Sequence, residues 1–150
     1  MPGFEVFGDE QRKELNGVLE TGVLVRYGFD QARARKWKAL AFEEVPQKTL
    51  YVNHIQLTSN GTAALTVALS YLGVGVGDEV LYPTFTSMAS FEAILSVGAI
   101  PVLEDLDETL GMNPEAAKEQ ITDRTKVIMP EHWIRSSRGS EKTKTPLKLS

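Results

Sequence analysis

Apolar residues along this chain recur at two different spacings, and the alternation between them outlines an architecture. Over residues 62–72, Leu65, Ala68, Leu69 and Leu72 fall three and four apart, which predicts a helix with one apolar stripe. Short apolar runs at residues 51–57, 79–82, 100–104 and 125–129 read as strands, and helical spacing returns over 87–97 and 114–121. Asn113 and Pro114 suit the cap and first position of that last helix. Strands alternating with helices predict an α/β fold, a three-layer arrangement around a mostly parallel sheet.

The first fifty residues predict a helical segment without that rhythm. Residues 9–20 read as a helix capped by Asp9 and ended by Gly22. A second helix is expected over residues 31–42, with Trp37, Leu40 and Ala41 packed inward. Its basic residues Arg33, Arg35, Lys36 and Lys38 then form a solvated face, phosphate contact being the alternative.

Composition narrows the classes. The chain has 150 residues, 42% of them hydrophobic, which suits one ordinary domain with a proper core. It has no cysteine, so disulfides, thiolate metal sites and a cysteine nucleophile are excluded. The net charge of −4 argues against nucleic acid as a partner, since phosphate backbones want a basic face. With no membrane-length apolar run and no charged-then-apolar leader, the expectation is a soluble, cytoplasmic protein with no membrane partner. Residues 133–150 carry five Lys and Arg against Glu141 alone and lack any apolar period, so a flexible tail is expected there. The expected organisation is therefore 1–50 helical, 51–132 α/β and 133–150 tail.

Candidate chemistry concentrates where the 51–57 run meets the next helix, at Thr58-Ser59-Asn60-Gly61-Thr62. Gly61 lets a ligand approach the backbone, and Ser59 and Thr62 supply hydroxyls. The first turn of the following helix offers unpaired N–H groups at a positive dipole end, which is a phosphate cradle. An ordinary Ser/Asn helix cap explains the same residues equally well. The pattern is neither GxxxxGK[ST] nor GxGxxG, so the usual nucleotide loops are not indicated. A second strand-to-helix turn, Pro83-Thr84-Phe85-Thr86-Ser87, would open at the same end of a parallel sheet.

These segments, with Gly73-Val-Gly-Val-Gly-Asp-Glu-Val, Gly98-Ala-Ile-Pro-Val-Leu-Glu-Asp-Leu-Asp, Ile121-Thr-Asp-Arg-Thr-Lys and Ile128-Met-Pro-Glu-His, occur in the order seen in one family. The chain resembles the DegT/StrS family of sugar aminotransferases over residues 5–132. The resemblance implies a fold type I architecture, here the N-terminal part of its large domain, and pyridoxal 5'-phosphate as cofactor. It also implies a homodimer that moves an amino group from glutamate or glutamine to a keto-sugar or keto-cyclitol. By the same resemblance, Ser59, Gly61 and Thr62 match the turn that holds the cofactor phosphate.

Ser87 falls where the family usually carries an aromatic that stacks on the pyridine ring. Glu131 stands where valine is usual, just before His132, which reads as structural; His54 is expected in a strand, bonded to local backbone. The lysine that binds the cofactor covalently and the carboxylate that pairs with its ring nitrogen would follow Pro130, and no residue here replaces them. The expectation is a truncated aminotransferase with no catalytic residue of its own and no metal site. The alternatives are a non-catalytic phosphate-binding module and an interaction protein.

Overall fold

The computed structural model of the chain describes residues 4–25, 27–34 and 36–131. Its contacts divide it into two units, one ending at Leu57 and the other beginning at Thr58. The expected tail and His132 lie outside the described residues.

The first unit holds a short 3-10 turn at Phe4–Val6 and two helices, α1 (Asp9–Leu19) and α2 (Lys38–Leu50). Gly8, not Asp9, is the cap of α1, and its N–H donates to Gln11 Oε1 at 2.8 Å. Asp9 is the first helical residue, where its charge suits the helix dipole. The helix expected at 31–42 is displaced toward the C-terminus. Residues 30–34 form turns instead, with Phe29 and Ala34 at positive φ. The Arg33 side chain stabilises that alternative: its Nε donates to Gly28 O at 3.1 Å and its guanidinium lies 4.3 Å from the centre of the Trp37 ring. Trp37 is half-buried, whereas Leu40 and Ala41 are exposed; the buried positions are Arg33 and Glu43.

The strand expected at 51–57 is absent. Tyr51 takes the left-handed conformation that ends α2, and the Val52 N–H is spent on Gln47 O. The Leu57 N–H goes to the Glu43 carboxylate at 2.7 Å rather than to a neighbouring strand. His54 is accordingly exposed and outside any strand.

The second unit matches the α/β expectation. It comprises α3 (Gly61–Tyr71), β1 (Glu79–Pro83), α4 (Met88–Ser96), β2 (Ile100–Glu104), α5 (Pro114–Gln120) and β3 (Thr125–Ile128). The three strands are parallel, in the order β2-β1-β3. The crossover from β1 to β2 and the one from β2 back past β1 to β3 run in opposite directions across the sheet, so α4 and α5 fall on opposite faces. Side-chain alternation agrees. Val80 and Tyr82 of β1 pack with Leu69 of α3 and Ala93 and Ile94 of α4. Leu81 packs on the other face with Met112 and Ala117. Gly98 sits at φ +79, and a Cβ there would lie 2.9 Å from Val76 Cγ2, so the turn from α4 into β2 requires glycine.

The amino ends of the strands are tied by charge. Glu79, nearly fully buried, accepts from Arg124 at 2.6 Å and from Thr122 Oγ1 at 2.6 Å. A register shift between Glu79 and Val80 sets Lys126 outside the ladder. Its ammonium then reaches Gly73 O at 2.6 Å and Asp78 Oδ2 at 3.2 Å.

Two carboxyls make opposite contributions to stability as pH changes. Glu104 is fully buried with neither carboxylate oxygen hydrogen-bonded among the described residues. Burial, then the neighbouring Asp105 charge, pushes its carboxyl above the usual range. Its contribution is therefore complete below the ordinary carboxylate pKa and is lost as pH rises through the raised value. Asp78 is held below the usual range by the Gly75 N–H and then by Lys126, so its contribution is lost as pH falls. Glu104→Leu should stabilise the chain at pH 7 by about 1–3 kcal/mol, the range for removing an unsatisfied buried group, with the gain shrinking in acid. Asp78→Asn should destabilise at neutral pH and have no effect in acid. Denaturant titrations across pH read both, and a Glu104→Leu gain that grew toward acid would contradict the assignment.

Candidate functional site

The connectivity brings two helix N-termini to one end of the sheet. Helix α3 feeds through residues 72–78 into the start of β1, so its own first turn lies toward the carboxyl ends of the strands. Helix α4 follows directly from the carboxyl end of β1 through residues 84–87. The two helices pack against each other, and ligands of parallel α/β sheets bind at this end.

At α3 the cap is Asn60. Its Oδ1 accepts the Ala63 N–H at 2.8 Å and its carbonyl accepts the Ala64 N–H at 3.1 Å, while Thr58 Oγ1 steadies that carbonyl at 2.9 Å. The N–H groups of Gly61 and Thr62 find no acceptor among the described residues. A Cβ on Gly61 would meet nothing within 4 Å, so the space on that side of the residue is open. The backbone at Gly61 is not left-handed, so glycine matters here for room rather than for conformation. Ser59 is exposed and its Oγ accepts from Asn60 Nδ2 at 3.3 Å; Thr62 is half-buried at the edge of the same opening. The three sequence candidates Ser59, Gly61 and Thr62 thus stand together around two unpaired donors. That is a fit for a phosphate group.

Ser87 plays a different part. It is the N-cap of α4, its Oγ accepting the Ala89 N–H at 3.3 Å. Its own N–H donates to Glu131 Oε2 at 3.2 Å. The same carboxylate accepts from Ser90 Oγ at 2.8 Å and from the Thr86 hydroxyl. Ser87 and Glu131, the two positions singled out in the sequence as unlike the resembled pattern, are therefore bonded to each other. The role of Glu131 is not legible in the sequence, where its signal is a charged residue two positions beyond the apolar run at 125–129.

The lysines among the described residues of this unit lie elsewhere. Lys126 is bonded at the amino end of the strands, and Lys118 pairs with Glu115 at 3.0 Å on α5, on the opposite face from α3 and α4. Two open depressions of ≈ 620 Å³ and ≈ 600 Å³ run along α1 and are lined by its charged residues; neither includes the 58–62 turn. Among the described residues no group of three or more His, Asp and Glu could hold a metal ion, and no helix is long and apolar enough to cross a membrane.

A parallel sheet flanked by helices gives the class: an α/β fold whose solved structural neighbours are fold type I aminotransferases. Comparison with known proteins narrows this. The model of the DegT/DnrJ/EryC1/StrS aminotransferase family matches residues 8–135, and the chain belongs to that family. It is 36% identical over 132 residues to 3-amino-5-hydroxybenzoate synthase of Amycolatopsis mediterranei, covering 87% of this chain and 32% of that protein. It is 39% identical over 122 residues to L-glutamine:2-deoxy-scyllo-inosose aminotransferase of Micromonospora echinospora, covering 79% and 28%. Among solved structures it is similar to 3-amino-5-hydroxybenzoic acid synthase, with a TM-score of 0.76, 37% identity and coverage of 88% of this chain and 33% of that one. It is also similar to NtdA of Bacillus subtilis with bound cofactor PMP, with a TM-score of 0.70, 31% identity and coverage of 83% and 28%. The chain spans about a third of the length of these relatives.

The cap at Asn60 can be tested apart from any ligand. Asn60→Ala should lower the unfolding free energy by about 1 kcal/mol, and Asn60→Gly by only a few tenths, as expected for a side chain that satisfies one orphan N–H. Equal losses in the two variants, measured by denaturant titration, would show that the cap contributes nothing.

Proposed function

We propose that this chain supplies the phosphate-holding part of a pyridoxal 5'-phosphate site in an aminotransferase acting on a keto-sugar or keto-cyclitol, with glutamate or glutamine as amino donor. The observation that carries the reading is the pair of N–H groups at Gly61 and Thr62, at the start of α3, that find no acceptor among the described residues. The known relatives named above support the reaction class. When bound, the cofactor supplies the electron sink for amino transfer. The chain's own residues hold it: the Gly61 and Thr62 amides and the positive end of α3 take the phosphate, and the hydroxyls of Ser59 and Thr62 border it.

The second part of the proposal is that this chain, taken alone, does not transaminate. Covalent catalysis on this cofactor needs a lysine held within bonding distance and a carboxylate at the ring nitrogen. Both lysines of residues 58–131 are committed to other partners away from the turn. Ser87 offers no ring to stack on, and its hydroxyl is spent as a cap. We place the protein in the cytoplasm, as a homodimer once the remainder of the fold is supplied. Non-catalytic phosphate binding is the second reading, favoured by the same lysine placement.

Titration with pyridoxal phosphate should show binding that Gly61→Val abolishes and that Thr62→Ala weakens, a lost hydroxyl bond being worth about 0.5–1.5 kcal/mol. Unchanged binding in both variants would reduce the turn to an ordinary helix cap. Incubation with the cofactor, borohydride reduction and mass spectrometry should give scattered, substoichiometric lysine labelling and no amino transfer. One stoichiometric adduct with measurable turnover would overturn the second part.

A further inference from the structure

Two helices present their N-termini at the carboxyl end of the sheet, yet their first turns differ in one respect. In the first turn of α3 the Gly61 and Thr62 N–H groups have no acceptor among the described residues. The first turn of α4 already faces an anion, because Glu131 reaches across from the end of β3. Its Oε2 takes the Ser87 N–H at 3.2 Å and the Thr86 hydroxyl, and its Oε1 takes Ser90 Oγ at 2.8 Å. These bonds join residues 41 to 45 positions apart in sequence, so they are tertiary and not local capping. The Met129 N–H still bonds Leu81 O at 2.8 Å, which keeps β3 in register up to two residues before Glu131. Val127 and Met129 lie on the α3/α4 face, and Glu131 continues that alternation.

We propose that Glu131 is a positioning residue that acts as a resident anion: it fills the N-terminus of α4, anchors the 84–87 turn, and directs an incoming phosphate to α3. A carboxylate beside the first turn satisfies the donors and the dipole that would otherwise attract a phosphate, and it repels a second anion there. The inference deepens the function proposed above and rests on it for one point only, that α3 is the end left open. It also accounts for Ser87 and Glu131 departing from the family pattern together. A serine with a free N–H and a short side chain lets the carboxylate approach the helix end.

The test is an amide-resolved titration with inorganic phosphate, run on the whole chain and on Glu131→Val and Glu131→Gln. In the unmodified chain the Ser87 amide should exchange with solvent about tenfold more slowly than an unbonded amide, the equivalent of one net hydrogen bond. Phosphate should move the Gly61 and Thr62 resonances and leave Ser87 and Ala89 in place. In Glu131→Val the protection should be lost and phosphate should now move Ser87 and Ala89. In Glu131→Gln, which keeps an acceptor but not the charge, the phosphate response should appear while protection is largely kept. The glutamine variant carries the test if the valine variant does not fold.

An unprotected Ser87 amide in the unmodified chain would overturn the proposal. So would a phosphate response at Ser87 in that chain, or variants that respond as it does. Silence at Gly61 and Thr62 in every protein would count against the proposed function alone, because the role of Glu131 is read at Ser87.

Discussion

Parallel pairing of β1 with both its neighbours is the constraint on which the rest of the second unit depends. Each strand must be reached by a crossover, so each helix returns the chain to the amino end and starts from the carboxyl end. The positive ends of the helix dipoles therefore collect at one side of the sheet, along with the N–H groups that no helical carbonyl can satisfy. The sheet interior is held by apolar packing on two faces, and its amino end by the Glu79–Arg124 and Lys126–Asp78 contacts. With that end tied down, the opposite end is free to carry chemistry.

What the helix ends do with their unpaired donors is then decided by single residues. Asn60 satisfies Ala63 and leaves Gly61 and Thr62 open; Ser87 and Glu131 together close the start of α4. One end keeps two N–H groups without an acceptor among the described residues, and the other is occupied from within. The buried Glu104 has no comparable partner and stands as a cost that this fold bears, with burial favouring its neutral form.

Much of the second unit was legible in the residues. Its strands are short apolar runs, its helices carry one apolar stripe, and Asn113-Pro114 is a strong start signal, so β2 and the beginning of α5 fall where the pattern puts them. The start of α3 at Gly61 was legible too, because Ser59 and Asn60 before an apolar stripe signal a helix cap. The first unit was not. Its α2 is displaced by a buried Arg33 that stacks on Trp37, and a hydrophobicity pattern treats arginine as solvent-facing. The apolar run at 51–57 looked like a strand, but its amides go to Gln47 and to the Glu43 carboxylate. The first is a backbone bond that closes α2 and the second a side-chain bond, and neither leaves a periodic trace. Glu131 was visible as an oddity, yet its role depends on three partners more than forty residues away, which only the fold brings near.

The account rests on the claim that the start of α3, and not that of α4, is the anion site at the carboxyl end of the sheet. The most direct measurement is a crystal structure of the chain grown with pyridoxal phosphate. The account predicts a phosphate group within hydrogen-bond distance of the Gly61 and Thr62 amides, with Glu131 still bonded to Ser87 and Ser90. A phosphate seated on the Ser87 amide with Glu131 displaced, or none at the Gly61 turn at saturating cofactor, would contradict it.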